Sequence, residues 1–450
     1  MASVFSTPAL GATGPSAGLT RTQAIGALLS LLLLAVTFLG PVISYKPAPF
    51  TGEGSPVRQA AYILLAVLAV ANARPWARPE RLFVIPLALT VALAWCWLSL
   101  AWSYNFSISL RRISLTTLAM WTIFLTVRQS TYQETLKAIR IMVVICLVAN
   151  YVAALAFPSF GVHQAATESD KALVGAWRGI MMHKNHVGSV SAFAVIVFLF
   201  DPGKMKPVLR WGIILAALFC LHMSMSKTSM GILAIATFCG WIYIRYNPAY
   251  RVLLIPLFCI GAAALYLLAI VYWQEISAPF GDPAGFTGRV RIWEVSLESI
   301  RDKVWYGWGY GGFWNTGANT AINRYTDDWV TTVGTAHSGY IDLLVQLGIP
   351  GLVLVVAGAI VWPVIKLLTS HRISRGAGAL LLALLLFCAG HNLTETSLFY
   401  RDEIIEVALC FTLALIWQET GPWADRSAVR RRGRRMAPQA ASRSLPKTAP

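Results

Sequence analysis

Along most of this chain, apolar residues run nearly unbroken for about 16 to 22 positions before a short polar stretch rich in Lys and Arg intervenes. A helix of that length crosses about 30 Å of hydrocarbon. The pattern predicts twelve spans: Gln23–Ile43, Gln59–Ala73, Leu82–Trp102, Ile108–Val127, Ala138–Phe157, Asn185–Phe200, Val208–Met225, Thr228–Tyr246, Val252–Trp273, Ile349–Leu368, Gly376–His391 and Ile404–Trp417. The second, sixth and last are short enough to begin inside the interface. The expected fold class is therefore all-α, a polytopic integral membrane protein with about 12 transmembrane helices. Two longer segments interrupt the rhythm, Pro158–Lys184 and the 63 residues Gln274–Ala336 between spans nine and ten. Long ordered loops usually carry function.

Composition agrees with a lipid environment. Of 450 residues, 56% are hydrophobic and 13% charged, against about 25% charged in ordinary soluble chains. The mean hydropathy is +0.60. These values exclude a disordered chain and a water-soluble enzyme of ordinary surface. The formal net charge is +17, but residues 419–450 hold eight basic residues and two acids, which leaves 17 − 6 = +11 for the rest. No soluble basic domain accompanies the excess, so no nucleic-acid partner is expected. The tail reads as a disordered cytoplasmic segment lying on anionic membrane lipid.

Lys and Arg near span ends orient the chain. With both termini in the cytoplasm, 23 of the 37 basic residues fall inside, and both long segments fall outside. That division gives a cytoplasmic N-terminal segment 1–22, a membrane-embedded unit 23–418 with outer loops 158–184 and 274–336, and the tail 419–450. The first apolar run lacks the layout of a cleaved leader and is expected to stay as a span. All seven cysteines lie in apolar runs, so neither a disulfide framework nor a thiolate metal site is expected.

The outer segments concentrate polar chemistry. Trp177 through Gly188 packs Arg178, His183, Lys184, Asn185 and His186 ahead of a short span, on the side where cations are disfavoured, so contact with an anionic ligand is the sharper reading. Lys227, in Ser226–Ser229, forms a further patch. Arg111 and Arg112 form another, for which snorkelling is an equal explanation. The large loop holds Trp293, Trp305, Trp308, Trp314 and Trp329 with Arg289, Arg291 and Arg324. Aromatic faces stack on sugars and guanidinium groups fork onto phosphate; the ordinary alternative is an interfacial aromatic belt. Phe286–Tyr306 reads as a helix with Val290, Trp293, Leu297 and Ile300 on its apolar face. Tyr306–Gly312 reads as a turn for close backbone approach rather than a nucleotide loop. Asp327-Asp328 reads as a solvated turn and not a metal site. His337, with Asp342 beyond it, stands at the edge of span ten and serves either hydrogen bonding or chemistry. His391, Asn392 and Glu395 read as packing and capping.

Taken in order, Arg178, His183–Gly188, Ser226–Ser229, Thr287-Gly288-Arg289 with Trp293, Gly307–Gly309 and Ala336–Asp342 resemble the O-antigen ligase and polymerase superfamily, with the exopolysaccharide-production polymerases of bacteria as the nearest likeness. The resemblance covers roughly Leu82 to Trp417, with one departure: Ser338 stands where many members carry Asn. It implies a metal-independent, inverting glycosyltransferase without a cofactor, set in the bacterial cytoplasmic (inner) membrane with its active site facing the periplasm. Its donor would be an oligosaccharide repeat unit on undecaprenyl diphosphate, polymerised into an exopolysaccharide. A chain-length regulator or export complex is a candidate partner. Under this resemblance Arg178 and Arg289 clamp the diphosphate, and His337 is general base to the acceptor hydroxyl. Asp342 or Glu395 is a candidate to orient that base. Lys184, Asn185, Arg291, Lys227, Trp293 and Trp308 are candidate substrate contacts. An O-antigen ligase transferring the glycan to lipid A–core differs only in acceptor. A secondary transporter would need two similar halves, which the chain lacks. A scaffold for an export complex predicts that Arg178, Arg289 and His337 are dispensable.

Overall fold

Short polar residues mark where each apolar run becomes helix. The side chains of Thr20, Ser55, Asn105, Thr131, Ser226 and Ser374 each accept a backbone N–H in the first turn that follows. The computed structural model describes residues 19–43, 55–76, 78–166, 173–254, 256, 288–317 and 320–421. Its principal helices are α1 (Arg21–Phe38), α2 (Pro56–Ala73), α3 (Leu87–Leu98), α4 (Phe106–Gln129), α5 (Tyr132–Ala156), α6 (Lys184–Phe200), α7 (Pro207–Met223), α8 (Lys227–Arg245), α9 (Arg289–Asp302), α10 (Gly339–Val356), α11 (Trp362–Thr369), α12 (Arg375–His391) and α13 (Ile404–Thr420). A π-helical turn, Ala357–Val361, joins α10 to α11.

Among the described residues, six helices are long and apolar enough to cross a membrane: α1, α2, α4, α5, α8 and the continuous Gly339–Thr369. Helices α3, α6, α7 and α12 are shorter and apolar. The fold is thus a polytopic, all-helical membrane protein. The ninth expected span lies mostly outside the described residues, as do residues 1–18 and the tail from 422 onward.

Two expected boundaries move for physical reasons. Pro86 precedes α3, so that helix starts at Leu87 instead of Leu82, and it ends in a 3-10 turn through Trp102. The tenth apolar run begins as helix at Gly339, ten residues before the hydrophobic signal, and breaks at Gly348. Its polar first turns carry Asp342 and Gln346, which hide the helix from a hydropathy reading.

Helix α1 packs on α2, α4 and α5; α4 also packs on α13; α8 lies along α12, and α6 along α7. Buried leucines, alanines and phenylalanines of α6, α12 and α13 supply much of the core.

The described part of the long segment, 288–317 and 320–336, packs against Val345 of α10 around a small core of Ile292, Val295, Trp308, Phe313, Trp314, Ile322 and Val330. Helix α9 spans Arg289–Asp302, shorter than the expected Phe286–Tyr306, whose first two residues lie outside the described chain. Its buried stripe is Val290, Ile292, Val295, Ser296 and Ser299, while Leu297 is 50% exposed. The expected apolar face is therefore rotated, and Ser299 lies beside the glycine-rich turn, its carbonyl accepting from Trp308 Nε1 at 3.2 Å. That turn lies on α10: Trp308 N–H donates to the Val345 carbonyl at 2.9 Å and Gly309 N–H to the Gln346 carbonyl at 2.8 Å. Gly307, at φ 63°, comes so close that a Cβ there would stand 2.4 Å from the Gln346 carbonyl carbon.

Candidate active site

Four helix starts and one helix connection meet at the same end of the bundle. Asn185 and His186 stand in the first turn of α6, Lys227 opens α8, Arg289 opens α9, and His337 precedes α10. The connection is residues 392–403, between α12 and α13. Asn392 shapes it: its Oδ1 accepts from Ser397 N at 2.9 Å and Leu398 N at 2.8 Å. Gly339 then docks on it, donating its N–H to the carbonyls of Asn392 (2.9 Å) and Glu395 (3.0 Å). A Cβ at Gly339 would sit 2.2 Å from Asn392 Oδ1.

Glu395 is the hub. Its Oε1 accepts from the Arg289 guanidinium and from Asn185 Nδ2 at 2.5 Å. Its Oε2 faces His337 Nδ1 at 3.7 Å, an electrostatic neighbour just beyond ordinary hydrogen-bond length. Arg289 and Glu395 are only 17% and 15% exposed. Burial alone would push the Glu395 carboxyl up, but His337 and the Arg289 guanidinium outweigh it and hold the group at about 2. It is a carboxylate at any physiological pH.

His337 is held rather than loose, yet its side chain is 35% exposed. Its backbone lies in the left-handed region at φ 49°, uncommon for a non-glycine residue and a frequent mark of a site. Asp342 Oδ2 fixes the preceding peptide by accepting from Ala336 N at 3.1 Å, and also accepts from the Thr396 hydroxyl. Trp293 Nε1 donates to the Ala336 carbonyl at 2.9 Å, which locks α9 to the His337 loop.

Two further acids on the connection are tied to other helices. Glu403 Oε1 stands 3.0 Å from His186 Nε2, and Asp402 pairs with Arg58 of α2 at 2.6 Å. Burial would raise the Glu403 carboxyl, but the charge of His186 overrides it and leaves Glu403 at about 2. His183 caps α6 by accepting from Asn185 N at 3.2 Å. Burial pushes the His183 imidazole down to about 3, so it is neutral and free to accept through Nδ1.

The other expected site residues fall as follows. Arg178 donates through Nε to the Phe160 carbonyl at 2.8 Å and through Nη2 to that of Ser159 at 3.2 Å, bracing the loop before α6. Lys184 is the first residue of α6 and half-buried. Lys227 is exposed, and its neighbour Thr228 meets Thr394 at 2.7 Å, beside Glu395. Arg291 forks between Asp328 at 2.9 Å and Glu294 at 3.2 Å. Asp328 also caps a 3-10 turn, accepting from Val330 N, so the Asp327-Asp328 turn serves structure. Trp308 is 2% exposed, with Lys303 over its ring at 4.1 Å, and fills the core of the segment instead of offering a stacking face. Trp305 and Trp329 are the exposed tryptophans there, at 62% and 52%. No three His, Cys, Asp or Glu side chains converge closely enough to hold a metal ion among the described residues.

The expected set had Glu395 only as a candidate to orient His337, omitted Glu403, and held His186 only as a member of the 177–188 cluster. The signal was present, since three acids occur within nine residues between two apolar runs, where ionised groups are costly unless paired.

Two comparisons bear on this arrangement. Residues 212–356 match the protein family described as O-Antigen ligase. That stretch contains Lys227, Arg289 and His337 and leaves Asn185 and Glu395 outside it. The chain is also 26% identical over 191 residues to the exopolysaccharide production protein ExoQ of Rhizobium meliloti (strain 1021), covering 39% of this chain. The chain spans 43% of the length of that curated relative. Together these matches bear out the resemblance to the O-antigen ligase and polymerase superfamily.

Proposed function

We propose that this chain, similar to the O-antigen ligase and polymerase superfamily, transfers glycan from a lipid diphosphate carrier to a second lipid-linked repeat unit, building an exopolysaccharide. The convergence of Arg289, Asn185 and His337 on the buried carboxylate of Glu395 carries this reading. Such a carboxylate holds a guanidinium in a fixed pose while leaving some of its N–H donors for a ligand.

In the proposed reaction the acceptor hydroxyl oxygen bonds to the anomeric carbon of the donor. The bond from that carbon to the phosphate oxygen breaks, and the lipid diphosphate leaves with the electron pair. The hydroxyl proton passes to His337, imidazole being the side chain most often used as a positioned base. Arg289 neutralises the charge growing on the leaving diphosphate, with Lys227 and Lys184 at the same end of the bundle. A single displacement of this kind inverts the anomeric centre. Arg178 braces the α6 loop and thereby sets Asn185. Undecaprenyl diphosphate is the proposed carrier, and membrane lipid surrounds the bundle.

The site end would face the periplasm, with both termini in the cytoplasm and residues 23–418 as the embedded unit. The opposite end of the bundle supports this orientation, carrying Arg74, Arg128, Arg140, Lys204, Arg210 and Arg245 near helix ends. The description of the matched family favours a second acceptor, lipid A–core, by the same chemistry. Purified protein in nanodiscs, given a lipid-linked repeat unit with and without lipid A–core, tests both. A ladder of multimers that vanishes in His337→Ala supports polymerisation. Transfer only after lipid A–core is added supports ligation. Silence with both, in folded protein, rejects glycosyl transfer.

A further inference from the structure

Two tryptophans expected to touch the substrate are engaged elsewhere. Trp308 is buried in the core of the long segment, and Trp293 is half-buried with its indole N–H donating to the Ala336 carbonyl at 2.9 Å. Trp329 differs from both. It is 52% exposed, and its Cη2 lies 3.6 Å from where a Cβ would stand on Gly288, the residue that caps α9 immediately ahead of Arg289. Gly288 takes φ 79° there, a left-handed conformation that glycine adopts at no steric cost.

The chain on either side fixes where this indole sits. Val330, the next residue, is fully buried in the segment's core. Asp328, the preceding one, accepts from Val330 N at 2.9 Å and from Arg291 Nε at 2.9 Å, and the Thr331 hydroxyl donates to the Asp328 carbonyl at 2.9 Å. At 40% and 35% exposure the Arg291–Asp328 pair adds little stability. Its effect is positional, since it ties the turn bearing Trp329 to the helix bearing Arg289. Farther along, the Ala336 carbonyl is tied to Trp293 of the same helix. The chain thus meets α9 beside Gly288 and again at Trp293, points about 7.5 Å apart along the helix axis. Arg289 lies between them, and His337 directly follows Ala336. An open indole, a guanidinium and an imidazole therefore surround the first two turns of α9.

In a glycosyl diphosphate the sugar ring is bonded directly to phosphate, so a phosphate held on Arg289 brings its sugar to the groups beside that residue. Sugar C–H faces pack on aromatic rings, and Trp offers the largest such surface. We propose that Trp329 is the stacking platform for the donor sugar next to the diphosphate, through which the site reads glycan rather than carrier. This rests on the glycosyl-transfer reading, in which Arg289 holds the diphosphate. Trp305, also exposed, is the natural control. It lies past the far end of α9, its backbone packs on Gly348 at the break in α10, and the next residue, Tyr306, meets Trp102 edge-on at 5.7 Å. That setting is an interfacial aromatic belt.

Two labelled probes separate sugar from carrier: the lipid-linked repeat unit extracted from the host, and undecaprenyl diphosphate without glycan. Equilibrium binding of each is measured in nanodiscs, in a His337→Ala background so that nothing turns over, with melting temperature as the fold control. Trp329→Ala should weaken binding of the repeat unit by about five- to tenfold while leaving undecaprenyl diphosphate within about twofold. Trp329→Phe, which keeps a ring, should restore most of the difference, and Trp305→Ala should change neither probe. In otherwise unaltered protein, Trp329→Ala should raise donor KM by the same factor with kcat held. Equal weakening of both probes would mean that the indole anchors the segment in lipid or sets Arg289, and would overturn the platform. So would unchanged binding of both. Glycan-selective binding that depends on Trp329 in protein that transfers nothing would uphold the platform and strike only the transfer reading.

Discussion

Glu395 Oε2 stands 3.7 Å from His337 Nδ1, while Oε1 of the same carboxylate is shared by Arg289 and Asn185. One buried charge therefore orders both the proposed base and the proposed clamp. His337→Ala should lower kcat by about two to four powers of ten, the usual worth of a positioned base, with protein still accumulating in the membrane. Glu395→Gln keeps the shape but loses the charge, and should lower kcat by about tenfold. Turnover of a labelled lipid-linked repeat unit measures both.

Arg289 invites a different pair of substitutions. Arg289→Lys keeps the charge but loses the fork, and donor KM should rise by about tenfold or more. Arg289→Gln strands the Glu395 carboxylate and should cost about 3 kcal/mol, because an unpaired buried charge is worse than a missing pair. The double change Arg289→Gln with Glu395→Gln should recover most of the stability and none of the activity. Thermal unfolding in detergent, run beside the transfer assay, separates the two effects.

Acid should loosen the site before it reaches the rest of the bundle. Glu395 and Glu403 are both held at about 2, below an unfolded value of about 4.3. A carboxyl depressed on folding stabilises the fold fully above its unfolded value, and that share is lost as pH falls from about 5 through about 2. Melting temperature should therefore decline steeply below about pH 5, and Glu395→Gln should flatten the decline. A parent and variant with parallel curves would contradict the assignment.

The apolar pattern reveals most helices because lipid demands continuous apolar length. It misses the start of α10, where Asp342 and Gln346 interrupt that length yet are buried, at 2% and 7% exposed. Asn185 and His337 are visible in sequence as polar groups at span edges, and Arg289 as a cation in the first turn of the predicted loop helix. Their meeting point is not, because residues 185, 289, 337 and 395 are brought together only by packing. Glu395 in His-Asn-Leu-Thr-Glu reads as an end cap until the three other elements are seen on it. Trp308 shows the reverse difficulty: composition counts a tryptophan without saying which of its faces is covered.

Trp308 offers a further check. Removing this side chain from the core of the 288–336 segment should cost about 3 to 5 kcal/mol locally and open cleavage by trypsin at Arg301, Lys303 and Arg324. Trp305→Ala, at an exposed position, should leave the cleavage rate unchanged. Limited proteolysis followed by mass spectrometry distinguishes them.

The connection between α12 and α13 also sets a timetable. Asn185, Arg289 and His337 leave the ribosome before Glu395, and Arg58 waits longest for Asp402. A chain still being made therefore holds these cations before the carboxylates that pair with them exist, and the proposed site is complete only once the connection between α12 and α13 has been made. Termination anywhere before α12 would leave these cations without Glu395, Asp402 and Glu403, and so without the site on which the proposed transfer depends.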